Sequence, residues 1–140
     1  MHMKIYVASS FKNRFQPFVV EHLRLAGHEV YDFRTAAAFS WSSIDENWRD
    51  WNVKTYMEAL VHPLSNIGFT SDINGVNWCD ACVLVLPCGL SAGIEAGIIH
   101  GSNRPVICYV PELREAELMV KAFTLVTENF SEVLEALKHV

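Results

Sequence analysis

The fold is decided by residues 81–97, which read ACVLVLPCGLSAGIEAG. Residues 81–86 are almost continuously apolar, which is typical of a strand that helices cover on both faces of a parallel sheet. Residues 87–90 then turn the chain, and the pattern predicts a helix over 91–100. A buried strand followed at once by a helix is the repeating unit of an α/β domain.

The same alternation continues outward in both directions. The predicted strands lie at 5–8, 29–33, 81–86, 105–110 and 123–126. A first helix with apolar residues at three- to four-residue steps ends at Gly27, and a closing helix covers 130–140. We therefore expect one domain over residues 1–140. It should be a doubly wound, flavodoxin-like α/β fold with a five-stranded parallel sheet in three layers and a ligand crevice at the carboxyl ends of the strands.

The connection between the second and third strands is less regular. A Ser-x-x-Glu capping box that begins at Ser43 predicts a short helix there. A further helix over 53–61 should end just before Pro63, because the residue preceding a proline is pushed out of helical geometry. A turn-rich passage follows, and 73–78 is either helical or interrupted by a turn at Asn74-Gly75.

Charge and hydropathy exclude several classes of partner. The 140 residues contain 11 Lys and Arg and 16 Asp and Glu, a net charge of -5, and the basic residues are spread singly, so we expect no nucleic-acid partner. The apolar runs fall far short of the roughly 20 residues that cross a bilayer, so we expect no membrane segment. The N-terminal residues are too short and too strand-like for a signal peptide, which predicts a cytoplasmic protein with reduced thiols.

Metal and cofactor sites are not indicated either. Cys79-x-x-Cys82 suggests zinc or redox chemistry, but no second ligand pair has suitable spacing, and none of the six His are three or four residues apart. We interpret the cysteines as small buried hydrophobes. We expect no metal and no cofactor.

Glu95 is not explained by helix capping. If Ser91 is the N-cap, its capping-box partner would be residue 94, one position earlier. Glu95 is then either an ordinary carboxylate favoured near the first helical turn, or a functional carboxylate kept ionised by the helix dipole within a tight, partly apolar wall.

Two further groups of residues leave alternatives open. Ser9, Ser10 and Ser91, with loop amides, would suit an anionic group of a ligand, although Ser9 and Ser10 also fit a plain strand end before a helix that starts at Asn13. Trp41 and the aromatic residues after it suit either stacking on a ligand ring or packing and subunit contact.

Four stretches together resemble the nucleoside 2-deoxyribosyltransferase superfamily. They are KIYVASSF at 4–11, SDING at 71–75, Asp80 at the start of a strand, and GIEAG at 93–97. The resemblance implies that Glu95 is the nucleophile, that Tyr6 orients it, and that Asp72 assists the departing base. It also implies cleavage or transfer at the N-glycosidic bond of a (deoxy)nucleoside or its 5′-monophosphate, in a homo-oligomer. The residues expected to bind substrate are Ser9, Ser10, Phe11, Asn74, Gly89, Ser91 and Trp41.

One position departs from this family. Its members commonly carry an Asp six residues before the nucleophile, where this chain has Gly89, and the stretch 88–95 resembles a divergent branch. Asp72 or Asp32 is a candidate replacement. A nucleotide-binding or sensor domain without catalysis is the alternative that this departure favours.

Overall fold

A computed structural model describes residues 2–36 and 38–140, and it contains five parallel strands flanked by helices. The strands are β1 (Lys4–Ala8), β2 (Glu29–Asp32), β3 (Ala81–Val85), β4 (Val106–Tyr109) and β5 (Leu125–Thr127). The α-helices are α1 (Gln16–Leu25), α2 (Val53–Leu60), α3 (Pro63–Trp78), α4 (Leu90–Gly101) and α5 (Phe130–Leu137). The strand order is β2-β1-β3-β4-β5. The predicted doubly wound, three-layer α/β fold is thereby confirmed.

Each face of the sheet has its own apolar core. Ile5, Val7 and Val83 pack with α1 and α5 on one face. Tyr6 and Cys82 pack with α3 and α4 on the other. Successive residues of a strand point to opposite faces, so the position of Tyr6 in β1 sends its ring into the layer of α3 and α4.

The turn-rich passage after Pro63 is in fact one continuous helix, α3, and Asn74-Gly75 makes no turn. Pro63 occupies the first helical position, and the His62 ring accepts a hydrogen bond from the amide of Leu64. Gly68 and Gly75 are both buried in this helix. The glycines that suggested turns therefore serve close helix packing.

The helix predicted from Ser43 does not form. Two short 3₁₀ turns, Trp41–Ser43 and Trp48–Asp50, occupy this region. The carboxylate of Asp45 instead accepts hydrogen bonds from the amide of Asn47 and from the indole of Trp51. Local side-chain bonds of this kind compete with the helical pattern.

No helix within residues 2–36 and 38–140 has both the length and the hydropathy to cross a bilayer. The same residues include no group of three or more His, Cys, Asp or Glu arranged to hold a metal ion. Cys79, Cys82 and Cys108 are buried free thiols, and Cys88 is a half-buried one.

Candidate active site

A buried tyrosine and a carboxylate form the centre of the site. The hydroxyl of Tyr6, in the middle of β1, donates a hydrogen bond to Oε2 of Glu95 on α4, at 2.5 Å. Burial of Tyr6, together with the nearby Glu95 carboxylate, raises the pKa of the phenol. The phenol therefore stays protonated and acts as a donor across the physiological pH range.

Helix α4 begins earlier than its sequence suggested. Its N-cap is Gly89, in extended backbone geometry and with no side-chain cap, so the prediction of Ser91 as N-cap was wrong. Ser91 is the second residue of the helix and is exposed. Glu95 is consequently the sixth residue, beyond the first turn in which the helix dipole acts strongly. The helix dipole therefore neither stabilises Glu95 as an ordinary first-turn carboxylate nor keeps it ionised as a functional one.

Burial governs the ionisation of Glu95 instead. It raises the pKa of this carboxyl to about 7, with a further upward contribution from the charge of Asp72. The Tyr6 hydrogen bond acts in the opposite direction and lowers that pKa, because it stabilises the carboxylate. At neutral pH Glu95 is therefore present in both protonation states, and its ionised form is little solvated.

A second tyrosine holds the second carboxylate. Tyr31, on β2, donates its hydroxyl proton to Oδ1 of Asp72 on α3, at 2.8 Å. The same hydroxyl oxygen lies 2.8 Å from the hydroxyl of Ser71. Burial raises the pKa of Asp72, and the bond from Tyr31 partly offsets this rise.

The two tyrosines lie side by side. Tyr6 and Tyr31 are register partners on neighbouring strands, and their rings stack with centroids 5.0 Å apart and planes 7° apart. Gly75 of α3 leaves room for Tyr31, since an added Cβ would lie 2.8 Å from Cδ2 of the ring. The site is thus two parallel Tyr–carboxylate pairs, Tyr6–Glu95 and Tyr31–Asp72.

Comparisons with known proteins identify the fold. No family model matches the chain, and no curated protein matches it. A 2-deoxyribosyltransferase from the psychrotolerant bacterium Bacillus psychrosaccharolyticus aligns with a TM-score of 0.64 and 22% identity, over 93% of this chain and 89% of that one. The CMP N-glycosidase of Clostridium botulinum aligns with a TM-score of 0.53 and 14% identity, over 96% and 98%. This chain has the 2-deoxyribosyltransferase fold.

Tyr31 and Ser71 are site residues for which sequence reasoning gave no role. Tyr31 belongs to a recognised strand, but its neighbour across the sheet depends on strand register, which the sequence does not reveal. Ser71 stands in the motif beside Asp72, and only the bond from its hydroxyl to Tyr31 shows its use. Within the 2-deoxyribosyltransferase fold, these residues connect β2 to the α3 carboxylate.

The serines expected at the crevice differ in placement. Ser9 is buried, and its hydroxyl donates to the carbonyl of Val85 at the end of β3, at 2.9 Å. Asn13 caps the start of α1 by accepting from the amides of Phe15 and Gln16. These bonds favour the structural interpretation of Ser9. Ser91 is exposed on α4 and takes no part in the Tyr6–Glu95 or Tyr31–Asp72 hydrogen bonds.

A cavity of about 750 Å³ lies at the carboxyl ends of the strands, and Glu95 is not one of its lining residues. Ser10, Lys12 and Gly89 line it, together with Gly93. Gly93 and Glu95 are two residues apart on a helix and so face different directions. Of the predicted binding residues, Ser10 and Gly89 border this cavity, whereas Tyr6, Asp72 and Glu95 form the neighbouring centre.

The remaining predicted binding residues lie outside both groups. Phe11 is half exposed and packs edge-on against Phe33. Asn74 is exposed on α3, two residues after Asp72 and hence on another face of the helix. Trp41 packs edge-to-face with Phe39, Trp51 and Tyr56, which favours the packing interpretation of this aromatic segment.

Proposed function

We propose that this protein cleaves or transfers the N-glycosidic bond of a (deoxy)nucleoside or of its 5′-monophosphate, with Glu95 as the nucleophile. The observation that carries the proposal is the hydrogen bond from buried Tyr6 to Glu95 beside a second carboxylate, Asp72. Two solved structures with this fold are a 2-deoxyribosyltransferase and a CMP N-glycosidase, which supports the same bond as the target.

The first step breaks the bond between sugar and base. Departure of the base builds positive charge at the anomeric carbon, which an ionised Glu95 stabilises before forming an ester with that carbon. Tyr6 keeps Oε2 engaged, so the other oxygen of the carboxylate is available for attack. Asp72 supplies the proton that the departing base takes up.

The second step releases Glu95. Another nucleobase attacks the anomeric carbon in transfer, and water attacks it in hydrolysis. In either case the incoming nucleophile gives its proton to Asp72, and the Glu95 carboxylate is regenerated. A pair of carboxyls that interact, one ionised and one protonated, suits this exchange of roles.

The cavity beside α4 suits a part of the substrate that lies away from the reacting carbon. Lys12 and Ser10 line it and offer donors to an anion, but Glu115 and Glu117 line it as well and oppose one. Glu112, also in the lining, is paired with Arg14 at 3.3 Å and with Arg114 at 3.4 Å. This mixed charge favours the base over a 5′-phosphate. Gly89 contributes main chain but no carboxylate, so we assign the second acid of the reaction to Asp72, the carboxyl whose charge acts on Glu95.

A nucleotide-binding domain without catalysis is the second candidate, and Gly89 in place of an Asp favours it. Ligand binding alone would raise the melting temperature with nucleosides or 5′-monophosphates, since a ligand at about 100 times its Kd adds about 2.7 kcal/mol of stability. Such a domain would bind without releasing base.

Base release from a panel of deoxynucleosides and their 5′-monophosphates, followed by chromatography, tests the proposal. We expect Glu95→Gln to lower kcat on the order of 10³-fold or more, with the fold intact, because the amide cannot form the ester. Glu58→Gln, on the exposed surface of α2, is the matched control and should be fully active. Equal rates for wild type and Glu95→Gln would show that Glu95 is not the nucleophile.

We further propose that the protein acts as a homo-oligomer. The outward face of α4 supports this, because Leu90, Ile94 and Ile98 are all exposed there.

A further inference from the structure

We propose that Tyr31 is a positioning residue that directs the acid proton of Asp72 onto its Oδ2 oxygen, where it faces the departing base. This inference rests on the proposed function and deepens it by assigning a role to a residue on β2. The hydrogen bonds around Asp72 carry it.

The single proton of the Tyr31 hydroxyl determines which group donates and which accepts in the hydrogen bonds around it. A phenol has one proton, and Tyr31 donates it to Oδ1 of Asp72. The contact of 2.8 Å with Ser71 must then be a bond that the Ser71 hydroxyl donates to the Tyr31 oxygen. The chain runs from Ser71 through Tyr31 to Asp72.

This chain leaves one oxygen of Asp72 for chemistry. Because Oδ1 is already an acceptor of the Tyr31 proton, a protonated Asp72 carries its own proton on Oδ2. A carboxylic acid whose proton sits on a fixed oxygen is oriented for transfer, which is what general acid catalysis requires. Tyr6 performs the corresponding task for Glu95 by engaging Oε2.

Asp72 and Glu95 compete for one proton. The titratable groups of the described residues that interact with Asp72 are Tyr31 from β2, Tyr6 from β1 and Glu95 from α4, and none of these is a cation. Burial raises the pKa of both carboxyls, and the charge of an ionised Asp72 raises the pKa of Glu95, so each carboxyl ionises more readily when the other holds a proton. The reactive form is the one in which Asp72 holds the proton and Glu95 is ionised, and the Tyr31 bond fixes which oxygen of Asp72 then carries it.

The ring and the hydroxyl of Tyr31 are separable by mutation. The ring stacks on Tyr6 and fills the space over Gly75. Tyr31→Phe keeps these contacts and removes only the hydroxyl. Tyr56→Phe, in exposed α2, is the matched control, and Tyr6→Phe is the comparison at the other pair.

The test is base release from 2′-deoxyuridine and 5-fluoro-2′-deoxyuridine and from their 5′-monophosphates, measured as kcat and KM against pH. We expect Tyr31→Phe to lower kcat about tenfold for the uracil substrates with KM nearly unchanged. The loss should be smaller for the fluorinated substrates, since their more acidic base needs less help from an acid. Loss of the hydroxyl also raises the pKa of Asp72, so the pH profile of the variant should shift to higher pH.

Tyr6→Phe distinguishes the two pairs. Loss of its bond raises the pKa of Glu95 instead of that of Asp72, so the dependence on the leaving group should stay at the wild-type value. A Tyr31→Phe variant that matches Tyr56→Phe in kcat, in leaving-group dependence and in pH profile would overturn the role of Tyr31 alone. A wild type that releases no base from these substrates or from the wider deoxynucleoside panel would overturn the proposed function, and this inference with it.

A readout without turnover completes the test. In the Glu95→Gln background, the Asp72 carboxyl can be titrated by carbon-13 NMR. We expect Tyr31→Phe to raise its pKa and Tyr56→Phe to leave it unchanged. An unchanged pKa in the Tyr31→Phe variant would contradict the bond from which the proposal starts.

Discussion

Glu95 is a carboxyl group whose burial outweighs the hydrogen bond that Tyr6 provides. Its pKa of about 7 in the folded protein exceeds the ordinary value of 4.5. Between these two values the folded protein binds a proton that the unfolded chain has released. The free energy of unfolding therefore falls as pH rises from about 4.5, and the loss is complete only above about 7.

Glu95→Gln should remove this dependence on pH. The pKa shift of Glu95 corresponds to about 3 kcal/mol, and the amide oxygen of the variant still accepts the Tyr6 bond. The difference in free energy of unfolding between variant and wild type should therefore favour the variant more at pH 8 than at pH 5, by an amount of that order. Denaturant unfolding of both proteins at the two pH values measures the difference. If the two proteins differ by the same amount at pH 5 and at pH 8, Glu95 is not a buried group of raised pKa.

Helix α3 shows which part of the structure the sequence could predict. Strand β3 was predicted correctly because its apolar run is nearly continuous. Of helix α3 the sequence indicated only residues 73–78, as one of two alternatives, because Gly, Asn and Ser are poor helix formers and the stability of this helix comes from contacts that are distant in sequence. Gly68 faces Phe39, and Gly75 faces Tyr31.

The candidate site was predictable to a similar extent. Tyr6, Asp72 and Glu95 stand in motifs that the sequence shows. A hydrogen bond joins Tyr6 to Glu95, and the charge of Asp72 acts on Glu95. The partnership of Tyr31 with Asp72 depends on strand register and on the rotation of α3, neither of which a motif encodes. The N-cap at Gly89 was missed because extended geometry at a glycine needs no side-chain signal.

Gly75→Ala tests the packing role of α3. Its new Cβ would lie 2.8 to 3.0 Å from the Tyr31 ring, so the ring must move, and we expect a stability loss of about 1–3 kcal/mol despite the better helix propensity of Ala. Gly97→Ala in α4 is the matched control, because nothing lies within 4 Å of the added atom; it should stabilise by about 0.5–1 kcal/mol. Denaturant unfolding measures both. A Gly75→Ala protein as stable as Gly97→Ala would contradict the close contact.

The two helical layers of the molecule have different surfaces. The layer of α1 and α5 exposes charged residues, including Glu21, Arg24 and Glu135. The adjacent helices α3 and α4 contain only Asp72 and Glu95 as acidic residues, with no Lys or Arg, and both carboxylates form hydrogen bonds to tyrosines of the sheet. The outward surface of this second layer is therefore uncharged and largely apolar, which is typical of a surface that another subunit covers.

Ile94→Asp should for this reason convert an oligomer into a monomer. Ile94 is 52% exposed at the middle of the α4 stripe, between Leu90 and Ile98, and a carboxylate there would be buried without a partner in a subunit contact. Leu25→Asp is the matched control, since Leu25 is 74% exposed on α1, at the end of the charged layer. We expect the mass measured by light scattering to fall for Ile94→Asp and to stay at the wild-type value for Leu25→Asp. If the wild type is itself monomeric, or if both variants keep its mass, the α4 stripe is not a contact between subunits.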